Sequence, residues 1–291
     1  RGWQRATALL AVWLAALVVF AGPLPVLAVA VLAATATGLG SLVMRGPVAL
    51  PLGLALVAGT LGWLLPLPVH HRAAYLACCI GVIAWRRVAI AEAARIAWRQ
   101  FGDATRAAPR ASTAALLLLG LASTGAWLPT MQYDDVVYHL GLPWQLQQTA
   151  RYALDPTLQV WALAPWAGDV LHGVVQVLAG VEARGALNGL WLAMAAGAVF
   201  ALVALLGGDA TRRWWAVALL GSLPLSMSLT AGMQTELPAM ALLPVRAWLV
   251  LGEPAAGPPR GLLAGALLFG ALCGLKSMHA AMALPLLAWA G

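Results

Sequence analysis

Apolar runs of about 20 residues, the length that crosses a bilayer core as a helix, recur from one end of this chain to the other. Hydrophobic residues make up 62% of its 291 positions and charged residues only 9%, where a soluble domain carries roughly 25%. That balance excludes an ordinary globular enzyme, and the abundance of Leu, Ala, Val and Trp excludes a solvated coil. The fold class expected is all-α: a polytopic transmembrane helical bundle. Cys78, Cys79 and Cys273 sit inside apolar stretches without metal-ligand spacing, so they read as small buried hydrophobes.

The net charge of +7 does not point to nucleic acid, because the basic residues lie between apolar spans rather than on one face. The spans expected are 6–20, 26–43, 48–65, 73–86, 111–128, 188–206, 214–229, 237–251 and 262–275, with a last one from 279. Pro and Gly punctuate the joints: Pro23 and Pro25, Gly46-Pro47, Pro66 and Pro68, Gly207-Gly208, and Gly257-Pro258-Pro259. Arg1 in place of Met and a stop at Gly291 within an apolar run read as a fragment. Arg1 and Arg5 mimic a signal peptide, but no cleavage site leads into a soluble domain, so the first span is expected to be retained. Segment 73–86 is expected to continue as an amphipathic helix with Arg95, Trp98 and Arg99.

With the N-terminus inside, the positive-inside rule puts every arginine but Arg72, Arg151 and Arg184 in the cytoplasm. This holds only if segment 170–181 does not cross. Asp169, His172 and Gln176 at helical spacing make it an amphipathic, interfacial helix. A long extracytoplasmic loop, about 129–187, follows, with Trp127, Trp144, Trp161 and Trp166 at headgroup level. Loops of this length are usually functional. The division expected is 1–110, accessory spans with a basic cytoplasmic segment, and 111–291, the core that carries the loop.

Few ionisable residues remain outside the cytoplasmic loops. Asp134 and Asp135 open the outer loop as adjacent carboxylates, suited to a general base, a metal ligand or both. Acidic residues also favour the first turn of a helix, and spacing alone leaves both readings open. Lys276, the only lysine in a chain rich in arginine, ends span 262–275 at its outer side. Snorkelling accounts for it simply, yet an ionisable group at membrane depth points first to function. Glu236 after Thr235 and before Leu237-Pro238 is an adequate helix start. Topology nevertheless brings Glu236, Lys276 and Asp134 to one face. His139 and His172 are candidates to line that site, and neither forms a metal motif with a neighbour. Gly261, Gly265, Gly270 and Gly274 suggest close helix packing.

Three stretches in order carry a family resemblance. Tyr133-Asp134-x-x-Val137-Tyr138-His139-Leu140-x-Leu142-Pro143 resembles the first outer loop of bacterial GT-C glycosyltransferases, polytopic enzymes that include the protein O-mannosyltransferase and aminoarabinose-transferase relatives. Met233-Gln234-Thr235-Glu236-Leu237-Pro238 resembles their acidic residue at the outer end of a later helix. Gly270-Ala271-Leu272-Cys273-Gly274-Leu275-Lys276 resembles their glycine-rich helix ending in lysine. The resemblance covers about 111–291. Glu236 stands where aspartate is commoner, and Trp144 where many relatives carry lysine.

The resemblance implies a bacterial inner-membrane enzyme that moves a sugar from a polyprenyl-phosphate donor to a hydroxyl of a lipid, glycan or protein acceptor on the outer side, with inversion. It implies catalytic roles for Asp134, the general base, and Asp135, which orients the acceptor or holds a divalent cation. Lys276 would meet the donor phosphate, with Glu236, Tyr138, His139 and His172 as substrate-binding neighbours. The rival expectation is a transporter or flippase for a lipid-linked sugar, whose site belongs near the midplane and often within repeats. A non-catalytic scaffold is the third reading.

Overall fold

The structure, a computed structural model, describes residues 2–130, 132–153, 155–157, 166–252 and 259–290. Arg1, Trp161 and the Gly257-Pro258 joint therefore lie outside the described residues. The described chain is all helical, without a strand. Its α-helices are α1 (Gly2–Ala21), α2 (Pro23–Gly40), α3 (Ala49–Leu64), α4 (Arg72–Ala107), α5 (Pro109–Ser123), α6 (Gly141–Thr149), α7 (Ala167–Ala179), α8 (Arg184–Leu205), α9 (Ala210–Ser222), α10 (Pro224–Thr230), α11 (Glu236–Gly252), α12 (Pro259–Leu275) and α13 (Ser277–Ala290). A 3-10 turn, Thr124–Trp127, extends α5, and a π-turn, Asp135–His139, precedes α6.

Four helices, α1, α2, α4 and α8, are long and apolar enough to cross a membrane; α3, α7, α12 and α13 are shorter apolar helices. Helix starts follow local chemistry. Pro23, Pro109 and Pro224 occupy first-turn positions, where the missing N–H costs nothing. Asp209 caps α9 by accepting the Arg212 N–H at 2.8 Å. The single span expected over 214–229 is broken at Leu223, held extended because it precedes Pro224. The segment from 73 continues without interruption as α4, 36 residues long.

The tightest crossing joins α2 to α3. A Cβ on Gly53 would stand 1.6 Å from the Ala36 carbonyl oxygen, and one on Gly40 1.8 Å from that of Ala49. Backbone-to-backbone approach of this kind needs residues without side chains. The glycines expected to do this in α12 do so less. Gly270 faces open space, Gly265 only the tip of Arg246, and Gly274 meets a neighbour more closely, 3.3 Å from the Ala167 Cβ.

Two further expectations need correction. Arg246 is not in a cytoplasmic loop: it is buried within α11, donates to the Gly265 carbonyl of α12, and lies 5.0 Å from the centre of the Phe269 ring. Segment 170–181 does not lie on an exposed surface. Gly168 to Ala179 of α7 are all buried, packed among α2, α3 and α6. Its polar stripe is met by protein instead of water, because Asp169 pairs with His139 and Gln176 with Gln147.

The chain from 129 to 183 nonetheless leaves and returns at one end of the bundle, since Arg184 at the start of α8 donates to the Leu128 carbonyl. At the same end Phe20 stacks on Trp127, with ring centres 4.8 Å apart. The boundary expected at 110/111 falls inside α5, and the core runs continuously from Ala28 of α2 to Ala283 of α13.

Candidate functional site

A buried polar latch gathers three chain segments at this end. Arg184 donates to the carbonyls of Leu128 and, at 3.1 Å, Thr230. Asn188, one turn on, donates to the carbonyls of Thr230 at 3.0 Å and Gly232 at 2.5 Å. The Thr230 hydroxyl reaches the Ala122 carbonyl at 2.7 Å. These are backbone groups at helix ends that would otherwise be buried without partners. The latch sets the end of α5 and the α10–α11 joint beside each other.

On this base sits the π-turn. Leu140 N–H bonds the Asp135 carbonyl at 2.9 Å, the five-residue step that makes it π; such turns are rare and cluster at functional sites. The two adjacent carboxylates have different surroundings. Asp135 is fully buried, and its carboxylate accepts the Met233 N–H at 2.9 and 3.0 Å and the Thr130 hydroxyl. Asp134 is exposed, with the Tyr138 hydroxyl hydrogen-bonded to it. Burial and the Asp134 charge push Tyr138 up to about 12, so it remains a proton donor.

His139, next along the turn, is buried and donates from Nδ1 to Asp169 Oδ1 of α7 at 2.8 Å. Burial alone would lower this imidazole. The Asp169 hydrogen bond and charge, with Asp135 and Asp134 behind, carry it above its ordinary 6.5. His172 lies one turn beyond Asp169, also buried, with Nδ1 unbonded. Burial first, then the charges of Arg184 and His139, push it down to about 3, so it stays neutral.

The second cluster stands at the joints before α11 and between α12 and α13. Lys276 Nζ lies 2.8 Å from Glu236 Oε1, both side chains partly exposed. The Thr235 hydroxyl meets His279 Nε2 at 3.1 Å. Two links tie this cluster to the π-turn. Asp135 holds Met233, three residues before Glu236. The start of α7 packs between them: a Cβ on Gly168 would lie 3.6 Å from Leu275 and 3.9 Å from Thr235, while the adjacent Asp169 holds His139.

The structure thus pairs Glu236 with Lys276, and Asp134 with Tyr138 on the π-turn beside His139. His172 lies behind them in the core. Asp135 has its carboxylate committed to Thr130 and Met233, the surroundings of an anchor for the turn. No group of three or more His, Cys, Asp or Glu residues able to hold a metal ion occurs among the described residues. Asp169, Arg184, Asn188, Thr230 and His279 were not singled out as site residues from the sequence. Asp169 was visible only as part of a polar stripe, and His279 only by its place one turn after Lys276. Comparison with protein families, curated proteins and solved structures finds no match for this chain.

Proposed function

We propose that this chain belongs to a glycosyltransferase of GT-C type, a polytopic bundle in a bacterial inner membrane. It uses a polyprenyl-phosphate sugar and transfers it at the extracytoplasmic face. The observation that carries this reading is that one exposed carboxylate, Asp134 just before the π-turn, stands at the same end of the bundle as the sole lysine of the chain, which is paired with Glu236. A base for an acceptor hydroxyl and a cation for a leaving phosphate are the two groups such a transfer needs.

In this reaction Asp134 takes the proton of the acceptor hydroxyl as its oxygen attacks the anomeric carbon. The bond from that carbon to the phosphate oxygen breaks, and the polyprenyl phosphate leaves with the electron pair. Lys276 balances the charge that grows there, and a single displacement inverts the anomeric centre. Glu236 holds Lys276 in place before the donor arrives. Tyr138 and His139 flank Asp134 and bind sugar or acceptor. Asp135 is a positioning residue, and His172 fills the protein behind the site.

One observation favours the transporter reading instead: Arg246 is buried inside α11, about 15 Å along the helix from Glu236 at 1.5 Å per residue. The test is an assay of the full-length protein in proteoliposomes with a labelled polyprenyl-phosphate sugar. Glycosyl transfer that Asp134→Asn abolishes supports the enzyme; movement of the donor across the bilayer without transfer supports the transporter.

A further inference from the structure

At the opposite end of α2, 18 residues or about 27 Å from the latch, a cavity of about 500 Å³ opens between the turn after α2, the middle of α4 and the start of α12. Ser41, Arg45, Arg86 and Arg260 line it with the Leu42–Met44 backbone turn. Three arginines from three separate elements face one space, and among the described residues no acidic one lines it. No ion pair among the described residues involves them.

Neutralising the C-terminus of α2 would account for one of these cations, but the contacts run elsewhere. The Leu39 and Gly40 carbonyls are taken by the N–H groups of Leu42, Val43 and Met44. Arg86 spends Nε and Nη2 on the Ser41 hydroxyl, at 3.2 and 2.8 Å. That bond fixes the guanidinium at the cavity wall and leaves Nη1 without a hydrogen-bond partner among the described residues. The surroundings are apolar and open: Leu42, Trp85 and Leu262, each next to or near one of the arginines, are 48%, 65% and 72% exposed.

We propose that this cavity holds the phosphate headgroup of an anionic membrane phospholipid, its acyl chains lying along the exposed faces of α4 and α12. Guanidinium groups match phosphate oxygens bidentately, and a basic pocket flanked by apolar surface suits an amphiphile better than a free ion. Trp85, with the Arg86 guanidinium 5.4 Å from its ring centre, marks the depth at which headgroups sit. The inference rests on the membrane reading, and not on glycosyl transfer.

The test titrates the purified full-length protein in detergent with phosphatidylglycerol, phosphatidylcholine or inorganic phosphate, and reads bound lipid by native mass spectrometry. The expected result is preferential binding of phosphatidylglycerol. Arg45→Gln and Arg260→Gln, both at exposed positions, should each weaken it by about fivefold, and together by about 25-fold. Equal binding of phosphatidylcholine, or unchanged binding in the double variant, overturns the proposal. Displacement of the lipid by inorganic phosphate at equal concentration assigns the cavity to free anions and overturns it as well. None of these readings depends on transferase activity, so an inactive preparation leaves the test intact.

Discussion

The Lys276 ammonium lies 2.8 Å from a Glu236 carboxylate oxygen, joining two helix ends that are 40 residues apart in the chain. Exposed pairs of this kind contribute only about 0.2–1 kcal/mol to stability. Lys276→Met should therefore leave the unfolding temperature almost unchanged. Because the donor phosphate is charged before transfer begins, the same variant should weaken donor binding and slow transfer together. A calorimetric scan beside a donor-binding titration checks both halves.

Asp134 and Asp135 should differ in kind. Asp134→Asn removes an exposed base, so transfer should fall by about 10²–10⁴-fold with donor binding and stability retained. Asp135→Asn disturbs a fully buried acceptor of the Met233 N–H and the Thr130 hydroxyl. It should cost about 1–3 kcal/mol of stability. Thermal unfolding of the two variants in one detergent distinguishes them, and an Asp135→Asn protein as stable as the parent would remove Asp135 from the role of anchor.

The His139–Asp169 pair makes stability depend on pH. The folded-state pKa of His139 is raised above its ordinary 6.5, so its contribution is fully present below 6.5 and is lost as pH rises through the folded value. The gap in unfolding temperature between the parent and His139→Gln should then be widest under mildly acidic conditions and narrow as pH rises. A gap that widens with pH would contradict the pairing.

Both ends of the loop from 129 to 183 meet at Leu128 and Arg184, so the chain beyond the loop resumes on the side it left. In a background with Cys78, Cys79 and Cys273 replaced by alanine, Arg151→Cys should react with an impermeant thiol reagent added outside intact cells. Arg212→Cys should react only after permeabilisation. The reverse pattern would invert the proposed orientation.

Two glycines predict opposite outcomes from one substitution. Gly53→Ala would put a Cβ 1.6 Å from the Ala36 carbonyl oxygen, forcing α2 and α3 apart at a cost of at least about 1–3 kcal/mol. Gly270→Ala meets nothing within 4 Å and removes backbone freedom from α12, a gain of about 0.5–1 kcal/mol. Paired unfolding curves read both.

The helical class and the approximate positions of most helices were legible in the sequence, because apolar length and proline position act locally. Pro23 and Pro109 start helices on the spot, and Pro224 breaks one. The candidates Asp134, Glu236 and Lys276 were legible for a related reason: a charge in so apolar a chain has few places to stand, and counting crossings assigns it an end. Partnership was not legible. Only the tertiary fold could separate adjacent Asp134 and Asp135 into an exposed and a buried carboxylate, because the Met233 N–H that Asp135 meets comes from 98 residues away in the chain. Only it could show that the polar stripe of α7 meets His139 and Gln147 instead of water, or that Arg246 lies inside a helix pair. An amphipathic pattern states that a face needs polar company. Whether water or protein supplies it depends on residues far away in the chain, and packing decides that.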